Sequence, residues 1–337
     1  MSLEFDLDFP RAWGPVPVSG GFRFELEDFQ VDEVLGFEPS GSGEHWLVQL
    51  RKRGDNTDWV ARELAHLAGV AVRDLGYAGR KDRRAVTSQW FSIYQPKGPE
   101  PQWQRLADKG LELIKVAQHD RKLRLGQHAG NRFAIRLRQL EPLLSETRER
   151  TREEMRDLLS ARLHRLVEQG VPNYFGEQRF GRGAGNLIRA QTQLMQGKTI
   201  RNRRERSMAL SAARSWLFNR VLSERVRQGN WQAPLSGEPA DVTTGPLWGR
   251  GRPLAQHDAL ALEKAVLAPW AKWCHALEHL GLKQERRALV LRPLGMEWAW
   301  EKEDLWLRFD LPPGCFATVV LREVAELRQE YNGATVL

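Results

Sequence analysis

Apolar and polar positions alternate in His45-Trp46-Leu47-Val48-Gln49-Leu50, the signature of a strand with one buried face. Directly after it, Val60, Leu64 and Leu67 share one face of a helix over 57–68, which Gly69 closes. Residues 86–93 are rich in β-branched and aromatic side chains and predict a second strand, with Asp82 in the glycine-bracketed loop just ahead of it. Phe133-Ala134-Ile135-Arg136-Leu137-Arg138 alternates apolar with basic and predicts a third. The pattern then lengthens. Leu158, Leu159, Leu163 and Leu166 stripe a helix over 151–169, and Thr151 and Glu154 have the spacing of a capping box at its start. After a loop with five glycines between Gly170 and Gly185, helices are expected over 187–196, 207–228 and 258–280. Residues 232–256 are rich in Pro and Gly and read as a short hairpin or an extended connection. Alternation returns at 288–292, 297–301 and 305–311, followed by a helical run over 317–329.

Strands at both ends and helices in the middle predict an α+β protein. A sheet domain is built from both termini and interrupted by a more helical insertion of roughly 120 residues, since insertions are tolerated at surface loops. A chain of 337 residues has room for two such lobes.

Charge adds a partner to this picture. The formal net charge is +8 and the sequence pI about 9.7. Between Arg179 and Arg227 stand twelve basic side chains against the two acids Glu205 and Glu224, so this segment alone exceeds the charge of the whole chain. Eleven of the twelve are arginine, the residue suited to bidentate contact with phosphate oxygens. A solvated helix face is the plain alternative, but the imbalance of sign favours contact with RNA. The two cysteines, Cys274 and Cys315, offer neither a disulfide framework nor zinc spacing, and a reduced, cytoplasmic compartment is expected. Acids punctuate the first residues and no apolar stretch reaches about 18 residues, so neither a signal peptide nor a membrane span is indicated.

The chemistry concentrates in Gly79-Arg80-Lys81-Asp82-Arg83-Arg84-Ala85-Val86-Thr87. Four cations around one carboxylate favour its charged form and draw RNA phosphates to a group that would otherwise repel them. Asp82 is thereby a candidate nucleophile or base; the alternative is an ion pair on a basic surface. Other candidates are weaker. His275 and His279 are four apart, but Leu277 and Glu278 break the zinc-protease motif, so no metal site is expected. The thirteen tryptophans read as packing, and Gly181-Arg182-Gly183-Ala184-Gly185 has no accompanying P-loop lysine.

Several stretches together carry a likeness. Glu27-Asp28-Phe29-Gln30-Val31, Phe37-Glu38-Pro39-Ser40-Gly41, Gly79-Arg80-Lys81-Asp82, Asn131-Arg132-Phe133, the run from Val171 through Asn173-Tyr174-Phe175-Gly176 to Gly181, and Leu311-Pro312-Pro313-Gly314-Cys315-Phe316-Ala317-Thr318 resemble, in that order, the TruD family of tRNA pseudouridine synthases. The resemblance implies a catalytic domain with a mixed, mainly antiparallel sheet flanked by helices, over 1–169 and 292–337, and an inserted α+β TRUD domain over 170–291 across a cleft. It places the catalytic carboxylate on Asp82 and substrate contacts on Phe29, Asn131, Phe133 and Phe316, while Lys81 is expected as a phosphate contact or a charge partner. It implies tRNA as partner, uridine-13 of the D arm as target, no metal or small-molecule cofactor, and a monomer. One departure is Arg23, where relatives carry lysine.

The residue types suit that reaction. An N-glycosidic bond breaks, the base turns, and its C5 joins C1′, with nothing oxidised or added. A carboxylate can assist at C1′, at C6 of the base or at a sugar proton, and the sequence does not choose among them. Stacking on phenylalanine offsets part of the cost of extracting the base, about 1–3 kcal/mol per platform, and Asn131 offers a donor and an acceptor to the uracil edge. A non-catalytic RNA-binding protein on the same scaffold and a hydrolytic nucleosidase are the competing readings.

Overall fold

The computed structural model describes residues 5–143, 151–239, 242–331 and 334–335. The chain opens with strands β1 (Val18–Phe22), β2 (Phe29–Val34) and β3 (His45–Arg53), helix α1 (Thr57–Ala68), and strands β4 (Leu75–Tyr77), β5 (Val86–Tyr94), β6 (Glu112–His119) and β7 (Gly130–Pro142). The middle is α2 (Arg152–Gln169), β8 (Val171–Pro172), α3 (Gly185–Gln196), α4 (Arg203–Arg227), β9 (Thr244–Leu247), α5 (His257–Leu267), α6 (Ala271–Glu278), β10 (Glu285–Ala288) and β11 (Val290–Leu291). Strands β12 (Leu294–Glu301) and β13 (Asp304–Leu311), helix α7 (Ala317–Leu321), β14 (Glu326–Tyr331) and β15 (Ala334–Thr335) follow.

Contacts divide the chain into two units. One holds Pro17–Ala161, Pro293–Gly314 and the described part of Ala325–Leu337; the other holds the described part of Met1–Val16, Arg162–Arg292 and Cys315–Val324. The first segment and Cys315–Val324, which the sequence pattern groups with the sheet, thus cluster with the helical middle.

The sheet unit is built on one mixed sheet in the order β15-β14-β1-β7-β2-β5-β3-β6, with β13 on β7, β12 on β13 and β4 on β5. Pairing is antiparallel except for β1 with β14 and β2 with β5, so the expected α+β architecture with a mixed sheet holds. Register decides what shares a face. Leu50 and Lys52 of β3 sit opposite Gln89 and Thr87 of β5, Thr87 lies beside Val31 of β2, and Val31 and Glu33 sit opposite Phe133 and Asn131 of β7. Over the β3–β5 end of this face α1 buries Val60 and Leu64 against Val48, Leu50, Phe91 and Ile93. Asn56 caps the helix by accepting from the Trp59 N–H, and Gly69 ends it at φ 65°, in the left-handed region open to glycine.

In the helical unit, α4 packs on α3 and α5, and its buried face carries Trp216, Leu217 and Phe218. Phe9 stacks on Tyr174 and also meets Trp216, which ties the first segment to this core.

Two sequence expectations change. The helix over 317–329 stops at Leu321, and the chain re-enters the sheet as β14, paired in parallel with β1. The helix over 258–280 is α5 and α6 separated by a tighter turn at Ala268–Trp270 that contains a proline. The open stretch 232–256 contains β9, which pairs with the distant β10.

Candidate active site

Asp82 stands on the loop between β4 and β5, above the polar part of the sheet face. Buried polar side chains hold this loop from below. Gln89 Nε2 donates to the Gly79 carbonyl at 2.5 Å, and Thr57 Oγ1 accepts from the Lys81 N–H at 3.0 Å while donating to Gln89 Oε1 at 2.9 Å. Lys52 Nζ donates to the main-chain carbonyls of Asp55, at 2.5 Å, and Asp82, at 3.2 Å. Lys81 turns inward and pairs with Glu33, whose other oxygen accepts from the Trp90 N–H at 3.1 Å. Glu33 is fully buried and Lys81 nearly so, which makes Lys81 a charge partner; a phosphate would have to pull it out of the core.

The Asp82 carboxylate faces the other way. Its side chain is 57% exposed, and Oδ2 accepts from Arg23 Nη2 at 2.6 Å. Arg23 lies in the turn between β1 and β2 with φ 64°, a costly conformation for a side-chain-bearing residue. That turn is anchored by Asp28, which is buried, accepts from the Glu25 N–H and receives both Nε and Nη2 of Arg138. Burial pushes the Arg23 guanidinium below its ordinary value and Asp82 opposes the shift. The same guanidinium lies 3.9 Å from the centre of the Phe29 ring, so Arg23 bridges the carboxylate and an aromatic.

Phe29 meets Phe133 edge to face at 6.1 Å, and Phe133 stacks on Phe309 at 5.6 Å. Asn131, two residues before Phe133 on the same face, places Nδ2 at 3.4 Å from His128 Nε2. A Cβ built on Gly79 would meet Lys81, Glu33 and His128, so His128 links Asn131 to the Asp82 loop. Burial first, and then Lys81, lower the His128 imidazole below its ordinary range, which keeps it neutral at pH 7. The Asn131 Oδ1 atom is buried without a hydrogen-bond partner among the described residues.

The sheet unit therefore gathers Asp82, Lys81, Phe29, Phe133 and Asn131. Sequence reasoning missed Lys52, Glu33, Thr57 and Gln89. A signal was present: Thr87-Ser88-Gln89 puts three polar residues in succession inside a strand, and a strand cannot turn all three toward water.

Phe316 belongs to the helical unit, half-buried against Phe175 at 6.4 Å, with the Arg179 guanidinium 5.8 Å from its ring. The Asn-Tyr-Phe-Gly run is a scaffold there. Asn173 donates to the Ala288 carbonyl and accepts from Arg287, and the main chain of Phe175 is satisfied on both sides by Asn219 of α4. The arginine-rich segment splits in two. Arg225 is buried against Glu238, and Arg214 holds the carbonyls of Leu247 and Lys283, whereas Arg182, Arg189, Arg201, Arg203 and Arg204 are exposed. Arg203, Arg206 and Arg214 line an open groove of about 550 Å³ with Ser207 and Ser211. Among the described residues no group of three or more His, Cys, Asp or Glu gathers as a metal site would, and no helix is long and apolar enough to cross a membrane.

Comparison with known proteins gives the family of the chain. The family model of tRNA pseudouridine synthase D (TruD) matches residues 12–202 and 238–324. A tRNA pseudouridine synthase D of Cellvibrio japonicus is 50% identical over 334 residues, which cover 98% of this chain and 96% of that protein. One from Methylococcus capsulatus is 42% identical, covering 95% and 94%. Among solved structures, a putative tRNA pseudouridine synthase D from Methanosarcina mazei shares the fold, with a TM-score of 0.68 at 22% identity over 94% of this chain and 96% of that one. The chain thus belongs to the TruD family of tRNA pseudouridine synthases.

Proposed function

We propose that this protein isomerises uridine to pseudouridine in tRNA, at uridine-13 of the D arm, with Asp82 as the carboxylate that carries the reaction. The observation behind the assignment is the loop itself: an exposed carboxylate on a backbone pinned from below, joined through Arg23 to Phe29. Cleavage of the N1–C1′ bond leaves C1′ short of electrons, and an anionic oxygen beside it offsets the deficit. The same oxygen can instead add to C6 or take a sugar proton, and each route calls for a carboxylate that solvent and substrate can reach. The base then turns, C5 bonds to C1′, the proton leaving C5 goes to water and the freed N1 takes one up, so the product has the mass of the substrate.

Phe29 and Phe133 are assigned to stacking, Phe316 to a substrate contact on the family resemblance alone, and the unpartnered Asn131 Oδ1 to the uracil N3–H. Exposed arginines of the helical unit are assigned to the tRNA backbone. Position 13 rests on family resemblance, and carbodiimide mapping of the product tests it. For Asp82, the test is tritium release from tRNA labelled at uracil C5. Asp82→Asn should bind tRNA nearly as the unaltered protein does and release no tritium, and retained turnover removes the assignment. Tight tRNA binding without release by the unaltered protein would leave an RNA-binding role, and free uracil a nucleosidase.

A further inference from the structure

Beneath the catalytic loop lies a charge with no evident part in the chemistry. Lys52 projects from β3 with 1% of its surface exposed, yet its ammonium is not spent on a carboxylate side chain. It grips two main-chain carbonyls, those of Asp55 at the end of the β3–α1 turn and of Asp82 itself. Nearby, Gly54 N–H donates to the Ala85 carbonyl at 3.3 Å and Arg83 Nε donates to the Gly54 carbonyl at 3.1 Å, so the turn after β3 and the loop before β5 are sewn together on both sides of Lys52.

We propose that Lys52 is a positioning residue for the isomerisation: by clamping the Asp82 carbonyl to the β3 turn, its ammonium fixes the backbone from which the carboxylate projects. The proposal rests on the reading of Asp82 as the catalytic carboxylate. Three observations carry it. The contact is to the backbone of the catalytic residue and leaves its side chain free; a charged donor holds a carbonyl about twice as strongly as a neutral one; and the partner turn is anchored by the cap of α1, a rigid element.

The clamp is also sensitive to pH. Burial brings Lys52 down from its ordinary value to about 8, with Asp55 and Asp82 opposing the shift and Lys81 adding to it. These are the charged groups facing it; behind them Lys81 is neutralised by Glu33, and the Asp82 carboxylate is paired with Arg23. Because the folded value lies below the unfolded one, holding the charge costs stability, fully at pH well below 8 and progressively less as pH rises from there toward the unfolded value. A lysine kept charged at this cost is not a stabilising device, which is the pattern of a functional group.

The experiment pairs Lys52→Met and Lys52→Arg with Asp82→Asn, following tritium release under saturating and limiting tRNA from pH 6 to 9.5. Lys52→Met should lose on the order of 10²-fold in kcat with KM within about twofold, as expected for a displaced catalytic group. Lys52→Arg keeps its charge across this range and should recover most of the rate. In the unaltered protein kcat should fall as pH passes 8, and Lys52→Arg should lack that fall. A folded Lys52→Met with full kcat overturns the proposal, as does an alkaline fall that persists unchanged in Lys52→Arg; the second result decides the matter even if Lys52→Met does not fold. Should Asp82→Asn retain turnover, the assignment of Asp82 fails, whereas an inactive Asp82→Asn beside a fully active Lys52→Met removes the Lys52 clamp alone.

Discussion

Two loops of this molecule invert the relation between distinctiveness and chemistry. Residues 171–181 hold the longest recognisable run, and the structure spends them on scaffolding: Asn173, Tyr174 and Phe175 are buried, bonded to β10, the first segment and α4. Residues 79–85 match in only a few positions, yet they present an exposed carboxylate on a backbone held from beneath. A buried latch constrains every side chain that touches it. A reacting group constrains itself and the partners that aim it.

Substitutions in the two loops should separate rate from stability. The largest effect on rate is expected from Asp82→Asn, a loss of at least about 10³-fold, with a stability change of about 1–2 kcal/mol in urea unfolding, since the Asp82 side of the pair is exposed and the amide still accepts from Arg23. A comparable loss of stability would make Asp82 part of a latch as well. In the other loop, Asn219→Ala leaves the N–H and C=O of Phe175 unpaired in the interior and should cost about 2–5 kcal/mol, with kcat per folded molecule nearly unchanged. Lys81→Met belongs to the Asp82 loop but strands Glu33 as a buried charge. It should cost about 3–5 kcal/mol, and adding Glu33→Gln should return part of it, a cycle readable by thermal unfolding. Arg203→Ala with Arg206→Ala should weaken tRNA binding and lower its salt dependence by a slope of roughly 1 to 2, leaving kcat in place. The smallest effect should come from Arg23→Lys, which keeps the charge beside Asp82 but loses the flat contact with Phe29; turnover within about tenfold is expected.

The same contrast explains what could be read in advance. Helix α1 is legible to the residue because stripe, cap and closing glycine agree, β3 and β7 carry plain alternation, and β5 shows in its β-branched and aromatic content. Strand β6 was missed because it borders the sheet and most of its side chains face water, so no periodicity is imposed on it. Residues 322–329 carry helical spacing, but pairing with β1 outweighs it. At the site, Asp82 was conspicuous as one acid among cations, whereas Lys52 and Glu33 are single charges that continue the apolar phase of their strands, after Val48 and Leu50 and after Phe29 and Val31. The register that turns them inward is set by neighbouring strands far along the chain.

The pairing of β1 with β14, Ser19 beside Glu326, also governs how the molecule is made. A ribosome adding roughly 5–20 residues per second needs some fifteen to sixty seconds to travel between these strands, and β7 waits a little over half as long for β13. During that interval the helical middle emerges whole, while the half-built sheet carries an unsatisfied edge at β1. The β1 edge of the sheet is thus among the last parts of the chain to be finished, and its completion, more than its stability, is the step at which chaperones have something to protect.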